Sequence, residues 1–208
     1  VIIGLTIART LVKKGYGDIV ILEKEDSIGR HASGRNSGVL HAGIYYTADT
    51  LKAKFCLAGN LLMKEYCRER GLQVLETGKV IVARDEAEEK TLKELYARAV
   101  KNGARVELID ERQLSSIEPN AKTHKTALYS YETAVVDPRA ILKSLYDELI
   151  LSGKVKILTG VEFKGIKSSN AISTNKGAIG FDIFINAAGA YSDRVANSFG
   201  VGLNYRLI

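Results

Sequence analysis

The stretch GRHASGRNSGVLHAGIYY, residues 29–46, decides how the rest of the chain is interpreted. It holds four glycines, two serines, two arginines, two histidines and one asparagine, and apolar residues become frequent only from Val39. Such a segment does not build a core. It offers backbone N–H groups, hydroxyls and guanidinium groups to a ligand rich in anionic oxygens. Because Gly/Ser-rich segments are also common connectors, a flexible solvated loop is an equally good interpretation of this stretch alone.

The residues before this stretch predict the first half of a dinucleotide-binding fold. Residues 1–3 have the pattern of a short buried strand, residues 5–12 are apolar at helical spacing, and residues 18–23 form a second apolar strand. Strand, helix and parallel strand make a right-handed crossover unit. Glu23, at the end of the second strand, is placed to accept hydrogen bonds from the ribose hydroxyls of an adenosine. An ordinary acid at a strand end is the alternative.

The glycine fingerprint of that fold is incomplete. In place of Gly-x-Gly-x-x-Gly, the sequence has the single Gly4 between Ile3 and Leu5. A strand cannot reverse into a helix packed on it without a connection of about two to six residues. We therefore expect about five further residues on one side of Gly4, which would make it the first or the last glycine of the fingerprint. If the neighbours are truly adjacent, phosphate binding at this position is not expected.

Composition and charge exclude several classes of protein. Hydrophobic residues make up 46% and charged residues 26% of the 208, as in a globular protein. The net charge of +6 is dispersed, so we expect no nucleic-acid partner but some attraction to an anionic ligand or membrane surface. Cys56 and Cys67 suit neither a metal knuckle nor a disulfide framework, which favours a reducing compartment and no metal.

The chain shows no apolar run of membrane-spanning length and no signal peptide. It starts without Met inside a strand pattern and ends at Ile208 in what reads as another strand. We therefore expect it to be a piece of a longer protein.

The remaining pattern predicts alternating helices and strands. Helices are predicted over 51–70 and 85–102, from a cap at Asp110 to residue 117, and from Asp137-Pro138, which supply the N-cap and the first helical position. Strands are predicted over 78–83, 106–109, 154–158, 161–166, 171–174 and 181–185, with one or two short strands over 127–136. In the 51–70 helix an apolar stripe is expected to face the core, comprising Leu51, Phe55, Ala58, Leu62 and Tyr66.

These elements predict an α/β protein with a discontinuous domain. Residues 1–75 and 138–208 would form an incomplete Rossmann-like nucleotide-binding domain. Residues 76–137 would be part of an inserted α+β substrate domain, with the substrate at the interface.

Several motifs together resemble a known family. They are VIIG at 1–4, Glu23-Lys24, SGRNSG at 33–38, HAGIYY at 41–46, VVDP at 135–138 and NAAGAYSD at 186–193. They resemble the FAD-dependent oxidoreductases related to D-amino-acid oxidase. Within that superfamily the chain is most similar to the L-2-hydroxyglutarate dehydrogenases and oxidases, above all over NSGVLHAGIYYTADTLKAK at 36–54. The resemblance runs nearly end to end but covers about the first half of such an enzyme.

The resemblance implies FAD as cofactor and assigns residues to it. Gly4 would belong to the pyrophosphate turn, Glu23 would hold the ribose and Lys24 would flank the adenosine. Val161 would approach the adenine through its backbone. The residues implied to line the pyrophosphate, ribityl chain and ring are Ser33, Gly34, Arg35, Asn36, Ser37 and Gly38, and those implied to close over the cofactor are Ala188, Gly189, Ser192 and Asp193.

His41 is the candidate catalytic base, because the unperturbed pKa of histidine lies near neutral pH. A core or flavin-packing histidine is an equally good interpretation. His31 and His124 are expected to be loop residues. Tyr45 and Tyr46 would wall the substrate pocket, or simply pack.

The leading hypothesis is therefore oxidation of L-2-hydroxyglutarate to 2-oxoglutarate by hydride transfer to FAD. The alternatives are a related FAD enzyme acting on an amino acid or glycerol 3-phosphate, and a flavin-binding module without catalysis. The sequence leaves the electron acceptor open. We expect a cytoplasmic location, with peripheral association with the inner membrane as the alternative.

Overall fold

A computed structural model describes residues 1–207, which form two units. The first unit contains residues 1–36 and the chain from Pro138 onward, and the second contains residues 37–137. The strand expected at the end of the chain does not form over residues 201–207, and Ile208 lies outside the described residues.

The helices and strands follow the chain in mixed α/β order. The helices are α1 (Ile2–Lys13), α2 (Leu51–Glu69), α3 (Glu86–Lys101), α4 (Glu111–Ile117), α5 (Pro138–Leu151) and α6 (Ser192–Ser198). The strands are β1 (Ile19–Glu23), β2 (Val39–Leu40), β3 (Val74–Leu75), β4 (Lys79–Val82), β5 (Val106–Asp110), β6 (Thr126–Ser130), β7 (Ala134–Val136), β8 (Val155–Thr159), β9 (Phe163–Ser168), β10 (Ala171–Thr174) and β11 (Gly177–Gly180). Short 3₁₀ turns cover Ala32–Gly34 and Gly189–Tyr191.

The first unit is built on a parallel strand pair covered by two helices. Strand β1 pairs with β8 from Ile19↔Val155 to Glu23↔Thr159. Helices α1 and α5 pack together, and a 2.9 Å ion pair between Arg9 and Glu148 links them. The buried apolar residues of these elements are Leu5, Ala8, Ile141, Leu142, Leu145, Leu149 and Val155. This arrangement places the carboxyl end of β1, with Glu23, at one edge of the pair.

The prediction of a strand at residues 1–3 is wrong, because these residues begin helix α1. The N–H of Leu5 donates to the carbonyl of Val1 at 3.0 Å, so the chain is helical and continuous through Gly4. The prediction of further residues beside Gly4 is therefore also wrong, since a continuous helix needs no turn there. Gly4 lies in the first helical turn, and a Cβ on it would lie 3.6 Å from the Cβ of Ala187. Gly4 therefore occupies a helical position and not a strand-to-helix turn of the fingerprint.

The prediction of a strand over residues 181–185 is also wrong. No described strand pairs with this segment, and Ile183 and Ile185 are 74% and 45% exposed. Phenylalanine rings organise it instead. The rings of Phe184 and Phe199 lie 4.7 Å apart, and that of Phe163 lies 5.9 Å from Phe184. An apolar run becomes a strand only where a neighbouring strand offers backbone hydrogen bonds, and none pairs with this run. The packing of the Phe184 ring against Phe163 and Phe199 holds the segment in place instead.

Two antiparallel sheets and three helices form the second unit. One sheet has the order β4–β6–β5 and the other has the order β2–β7–β3. Helix α3 covers the first sheet through Leu92 and Ala99, which are buried against strand residues such as Leu128 and Val106. Helix α4 starts with a capping box, in which Asp110 and Gln113 each bind the other's backbone N–H. The expected cap at Asp110 is confirmed.

Helix α2 forms where predicted, but its apolar stripe does not face the core of the second unit. Leu51, Phe55 and Leu62 are 67%, 63% and 64% exposed, whereas Tyr66 is buried. The buried face carries Ala53, Asn60, Lys64 and Cys67 instead. Periodicity locates an amphipathic helix but does not say which neighbour covers the apolar face. None of the helices in residues 1–207 combines the length and the apolar character needed to cross a bilayer.

The second unit begins at Ser37, whereas the sequence places the domain boundary after residue 75. The reason lies in strand pairing. Strands β2 and β3, both before residue 76, are hydrogen-bonded to β7 at residues 134–136. The assignment of one unit to the cofactor and the other to the substrate stays a prediction.

At position 34 of the first unit, only glycine fits without a steric clash. It is buried, and a Cβ on it would lie 2.1 Å from the carbonyl oxygen of Gly29, a distance that real contacts do not reach. The two backbone segments therefore touch directly, and this contact closes the loop between them.

We predict that Gly34→Ala destabilises the protein by about 2 kcal/mol or more, because the backbone must shift to admit the methyl group. Chemical denaturation measures the loss. Gly17→Ala is the matched control, since a Cβ on Gly17 meets nothing within 4 Å. Equal stability of the two variants would contradict the proposed contact.

Candidate functional site

Glu23 ends β1 in a network of backbone hydrogen bonds. Its Oε1 accepts from the N–H of Glu25 at 3.1 Å, and its carbonyl accepts from the N–H of Val161 at 3.0 Å. The N–H of Gly160 donates to the carbonyl of Glu25 at 2.7 Å. Val161, which the sequence assigns to the adenine, is buried with its N–H already used. Any backbone contact of Val161 with a ligand would therefore use its carbonyl.

A charged cluster around Tyr191 follows directly after Glu23. The ammonium group of Lys24 pairs with Glu25 and lies 5.0 Å from the centre of the Tyr191 ring. His31 Nε2 lies 2.7 Å from Glu25 Oε1, and its ring meets that of Tyr191 edge-on at 6.1 Å. Lys24, and after it His31, lower the pKa of the Glu25 carboxyl, while the hydrogen bond to Glu25 raises the pKa of Lys24. Sequence reasoning missed Glu25 and Tyr191 and treated His31 as an ordinary loop residue.

Ser33 ties the Gly-rich stretch to the beginning of α1. Its Oγ accepts a 3.3 Å hydrogen bond from the N–H of Ile2. The amide of Asn36 donates to the carbonyls of Ala32 and Ser33 at 3.0 and 3.1 Å, which closes the turn, and Arg35 is exposed. The structure thus brings a hydroxyl to a helix N-terminus, where unpaired N–H groups favour anions.

The turn from Asn186 to Asp193 is held by its own side chains. Asn186 donates to the carbonyl of Ser192 at 2.7 Å and accepts from the N–H of Ala188 at 3.2 Å, and the Ser192 hydroxyl donates to the carbonyl of Gly189. Gly189 has φ +59°, which favours glycine. The N–H groups of Leu207 and Arg194 bind the Asp193 carboxylate and lower its pKa. All these predicted residues lie in the first unit.

The remaining predicted residues lie in the second unit, where Asn60 holds the start of their loop. The buried amide group of Asn60 donates to the carbonyls of Leu40, His41 and Glu132, at 3.0, 3.3 and 3.0 Å. Gly38 accepts at its carbonyl from the N–H of Val136 at 2.9 Å. Asn60 of α2 therefore joins the end of β2 to the β6–β7 turn. Ser37, before the loop, is exposed.

Helix α3 holds the other end of the same loop. Asn102 donates to the carbonyls of Gly43 and Tyr46 at 2.7 and 2.8 Å, and Arg98 donates to the carbonyl of Tyr45 at 3.2 Å. Ile44 is buried in the core beside Ala99. The buried residues 42–44 anchor the loop, and this anchoring leaves the rings of His41, Tyr45 and Tyr46 at the surface of the unit.

His41, Tyr45 and Lys79 form a side-chain cluster at this surface. The rings of His41 and Tyr45 meet edge-on with centres 6.2 Å apart. The Lys79 ammonium lies 4.7 Å from the centre of the Tyr45 ring and donates to its hydroxyl. Desolvation, and after it the positive charge of Lys79, lower the pKa of His41 below its ordinary value of 6.5. Sequence reasoning missed Lys79, which carries no local signal.

Two cavities in the second unit are lined by other residues. One, of about 550 Å³, lies beside Asp110 and His124, and the other, of about 510 Å³, lies beside Leu57 and Asn102. No cluster of three or more histidine, cysteine or acidic side chains suited to a metal occurs within residues 1–207.

The family follows from comparison with known proteins. The family model described as FAD dependent oxidoreductase, DAO, matches residues 2–208, so the chain belongs to this family. A curated relative, the mitochondrial L-2-hydroxyglutarate dehydrogenase of Caenorhabditis briggsae, is 37% identical over 218 residues, which cover 100% of this chain and 50% of the relative. The chain thus spans about half the length of the curated relatives that it matches.

Solved structures show the same fold. L-proline dehydrogenase from P. horikoshii matches with a TM-score of 0.83 and 25% identity, over 97% of this chain and 54% of that chain. L-α-glycerophosphate oxidase from Mycoplasma pneumoniae, solved with FAD bound, has a TM-score of 0.82 and 24% identity, over 93% of this chain and 54% of that one. The predicted α/β FAD-binding fold is confirmed, as are the enzyme class and the cofactor of the family.

The donor set of the first unit fits FAD. The glycine turn that normally binds the phosphates is not formed at Gly4, which lies inside α1. The N–H groups at the start of α1, the Ser33 hydroxyl and the Arg35 guanidinium group are the remaining groups suited to a pyrophosphate, and the Glu23 carboxylate suits a ribose diol. The part played by each residue stays a prediction.

We predict that Asn60→Ala lowers the free energy of unfolding by about 1–3 kcal/mol, because the partly buried carbonyls of Leu40, His41 and Glu132 lose a shared donor. Denaturation measures this loss, and the NMR signals of the three histidines report whether His41 becomes mobile. Asn120→Ala is the control, since Asn120 donates to Glu118 on the surface. If Asn60→Ala behaves like this control, the amide does not hold the loop.

Proposed function

We propose that the protein containing this chain oxidises L-2-hydroxyglutarate to 2-oxoglutarate, with FAD as the hydride acceptor. The observation that carries this proposal is the match, over 100% of the chain at 37% identity, to a protein named L-2-hydroxyglutarate dehydrogenase. The solved proteins of similar structure are named as enzymes of proline and of L-α-glycerophosphate, and their likeness supports the fold alone.

His41 is proposed to take the proton from the substrate hydroxyl. A base must be neutral before the reaction, and the lowered pKa of His41 keeps the imidazole neutral at physiological pH. Tyr45 is proposed to wall the reacting carbon, because its ring stands edge-on to the imidazole. Tyr46, whose carbonyl Asn102 holds, is proposed as a second wall. FAD, when bound, supplies the two-electron acceptor.

The cofactor contacts are proposed for the residues that the family resemblance assigns to FAD. They are Gly4, Glu23, Lys24, Ser33, Gly34, Arg35, Asn36, Ser37, Gly38, Val161, Ala188, Gly189, Ser192 and Asp193. Glu23 is proposed to bind the ribose, because its carboxylate stands at the end of the parallel pair. The electron acceptor and the cellular location stay predictions from the sequence.

We expect L-2-hydroxyglutarate to bleach the flavin absorbance of the FAD-loaded protein of full natural length. Oxygen-free stopped-flow spectroscopy measures the reduction. Glycerol 3-phosphate and amino acids are the comparison substrates. Bleaching by one of these, without reduction by L-2-hydroxyglutarate, would assign a different substrate class. Retained FAD that none of them reduces would indicate a binding module.

Glu23→Ala is expected to weaken FAD binding by about 10- to 100-fold, the effect of losing a charge-assisted hydrogen bond. Release of FAD on dilution, followed by flavin fluorescence, measures the affinity. Glu162→Ala is the control, since Glu162 pairs with Lys164 on the surface of the same unit. Unchanged FAD affinity in Glu23→Ala would refute the ribose assignment.

His41→Gln is expected to slow flavin reduction by about 10²- to 10⁴-fold while changing substrate affinity less. In the parent, the neutral imidazole is the active form, so the rate falls as the pH drops through its pKa, which lies below 6.5. This acid limb should disappear in His41→Gln. His124→Gln is the control from the same unit. A parent-like rate and pH profile in His41→Gln would leave His41 a packing role.

A further inference from the structure

We infer that Lys79 is the residue that binds a carboxylate group of the substrate, with the Tyr45 ring and hydroxyl as its support. Nothing in the motifs points to this lysine, which is brought to His41 by the fold of the second unit. The inference rests on the proposed function, because it places the substrate beside His41.

The first argument is the position of the ammonium group. Lys79 begins β4, and its ammonium lies over the Tyr45 ring and donates to the Tyr45 hydroxyl. The same ring stands edge-on to His41. The backbone beneath Tyr45 is fixed by Arg98, which donates to its carbonyl at 3.2 Å. The Lys79 ammonium and the His41 imidazole thus both contact the Tyr45 ring, whose backbone is held by Arg98.

The second argument is the lack of a counter-ion. Lys79 is half-buried, yet within residues 1–207 no carboxylate pairs with it. Other lysines of the same unit differ. Lys64 is buried between Glu76 and Glu132, each at 3.2 Å, and the exposed Lys101 pairs with Asp49 at 3.0 Å. A cation partly removed from water without an anion costs free energy, and a bound carboxylate would recover that cost.

The third argument is the geometry of donors. An ammonium group has three N–H donors, and the Tyr45 hydroxyl uses one of them. The remaining donors are suited to the two oxygens of a carboxylate. A 2-hydroxy acid carries its carboxylate on the carbon that bears the reacting hydroxyl, so an anion site near the base orients the substrate as well as binding it.

The test compares the parent with Lys79→Met, Lys79→Arg and the control Lys90→Met in the FAD-loaded protein of full natural length. Lys90 is an exposed lysine of α3, so its loss changes the net charge equally. Stopped-flow reduction gives the dissociation constant and the limiting rate for L-2-hydroxyglutarate and for L-2-hydroxybutyrate. Glutarate, which has no hydroxyl to oxidise, gives a dissociation constant from the perturbed flavin spectrum without turnover.

Lys79→Met should weaken binding by about 10- to 100-fold, while Lys79→Arg retains most of the affinity. Weakening for both hydroxy acids assigns Lys79 to the carboxylate beside the hydroxyl, and weakening for the dicarboxylates alone assigns it to the distal carboxylate. In Lys79→Met the His41 signal should also titrate at higher pH, because a neighbouring positive charge has been removed.

Binding in Lys79→Met within about fivefold of the parent for every ligand, as for an exposed ion pair, would overturn the inference. A wrong proposed function would give a different experimental result. In that case the parent is not reduced by L-2-hydroxyglutarate, while glutarate binding and the His41 titration still decide whether Lys79 binds carboxylates beside His41.

Discussion

The arrangement of the second unit depends on the amide of Asn60. Three carbonyl oxygens, from Leu40, His41 and Glu132, converge on one NH₂ group inside the unit. Carbonyls that are removed from water need hydrogen-bond donors. Those of Leu40 and His41 lie at the end of a two-residue strand, and that of Glu132 lies in the turn between β6 and β7. The amide oxygen of Asn60 finds no partner within residues 1–207, so the side chain gives up one hydrogen bond to satisfy several others. Because these hydrogen bonds hold the backbone at residues 40 and 41, the His41 side chain stays at the surface of the unit.

The lysines of the two candidate sites differ in whether a carboxylate pairs with them. In the first unit, Lys24 and Glu25 neutralise each other beside His31 and Tyr191, which leaves the start of helix α1, the Ser33 hydroxyl and Arg35 as the features that attract an anion. In the second unit the charge of Lys79 is not neutralised by a carboxylate of the described chain, and it lowers the pKa of His41. A hydrogen-bonded cation beside a neutral imidazole suits a site that binds an anion and removes a proton.

The sequence correctly predicted helix starts that depend only on residues within one helical turn. The capping residue Asp110 and the Asp137-Pro138 start of α5 are short-range features, and both elements begin where the sequence places them. The strand predictions failed for residues 1–3 and 181–185. Both are short apolar runs, and such a run is equally compatible with a buried strand and with a turn of buried helix. The conformation of such a run depends on the packing and hydrogen-bond partners around it, and a pattern of three to five residues does not identify those partners.

The sequence by itself determined the family, the FAD cofactor and the motif from Ser33 to Tyr46, because glycine, hydroxyl and imidazole groups are recognisable where they cluster along the chain. It also placed Glu23 at the end of a strand. Only the tertiary structure decided that Gly4 lies inside a helix, that Asn60 holds the His41 loop, and that Lys79 stands over Tyr45, 34 positions away in the chain. The physical reason is that hydrogen bonds and charges act over a few ångströms in space. Which distant residues come within that range is set by strand pairing and helix packing, not by their order in the chain.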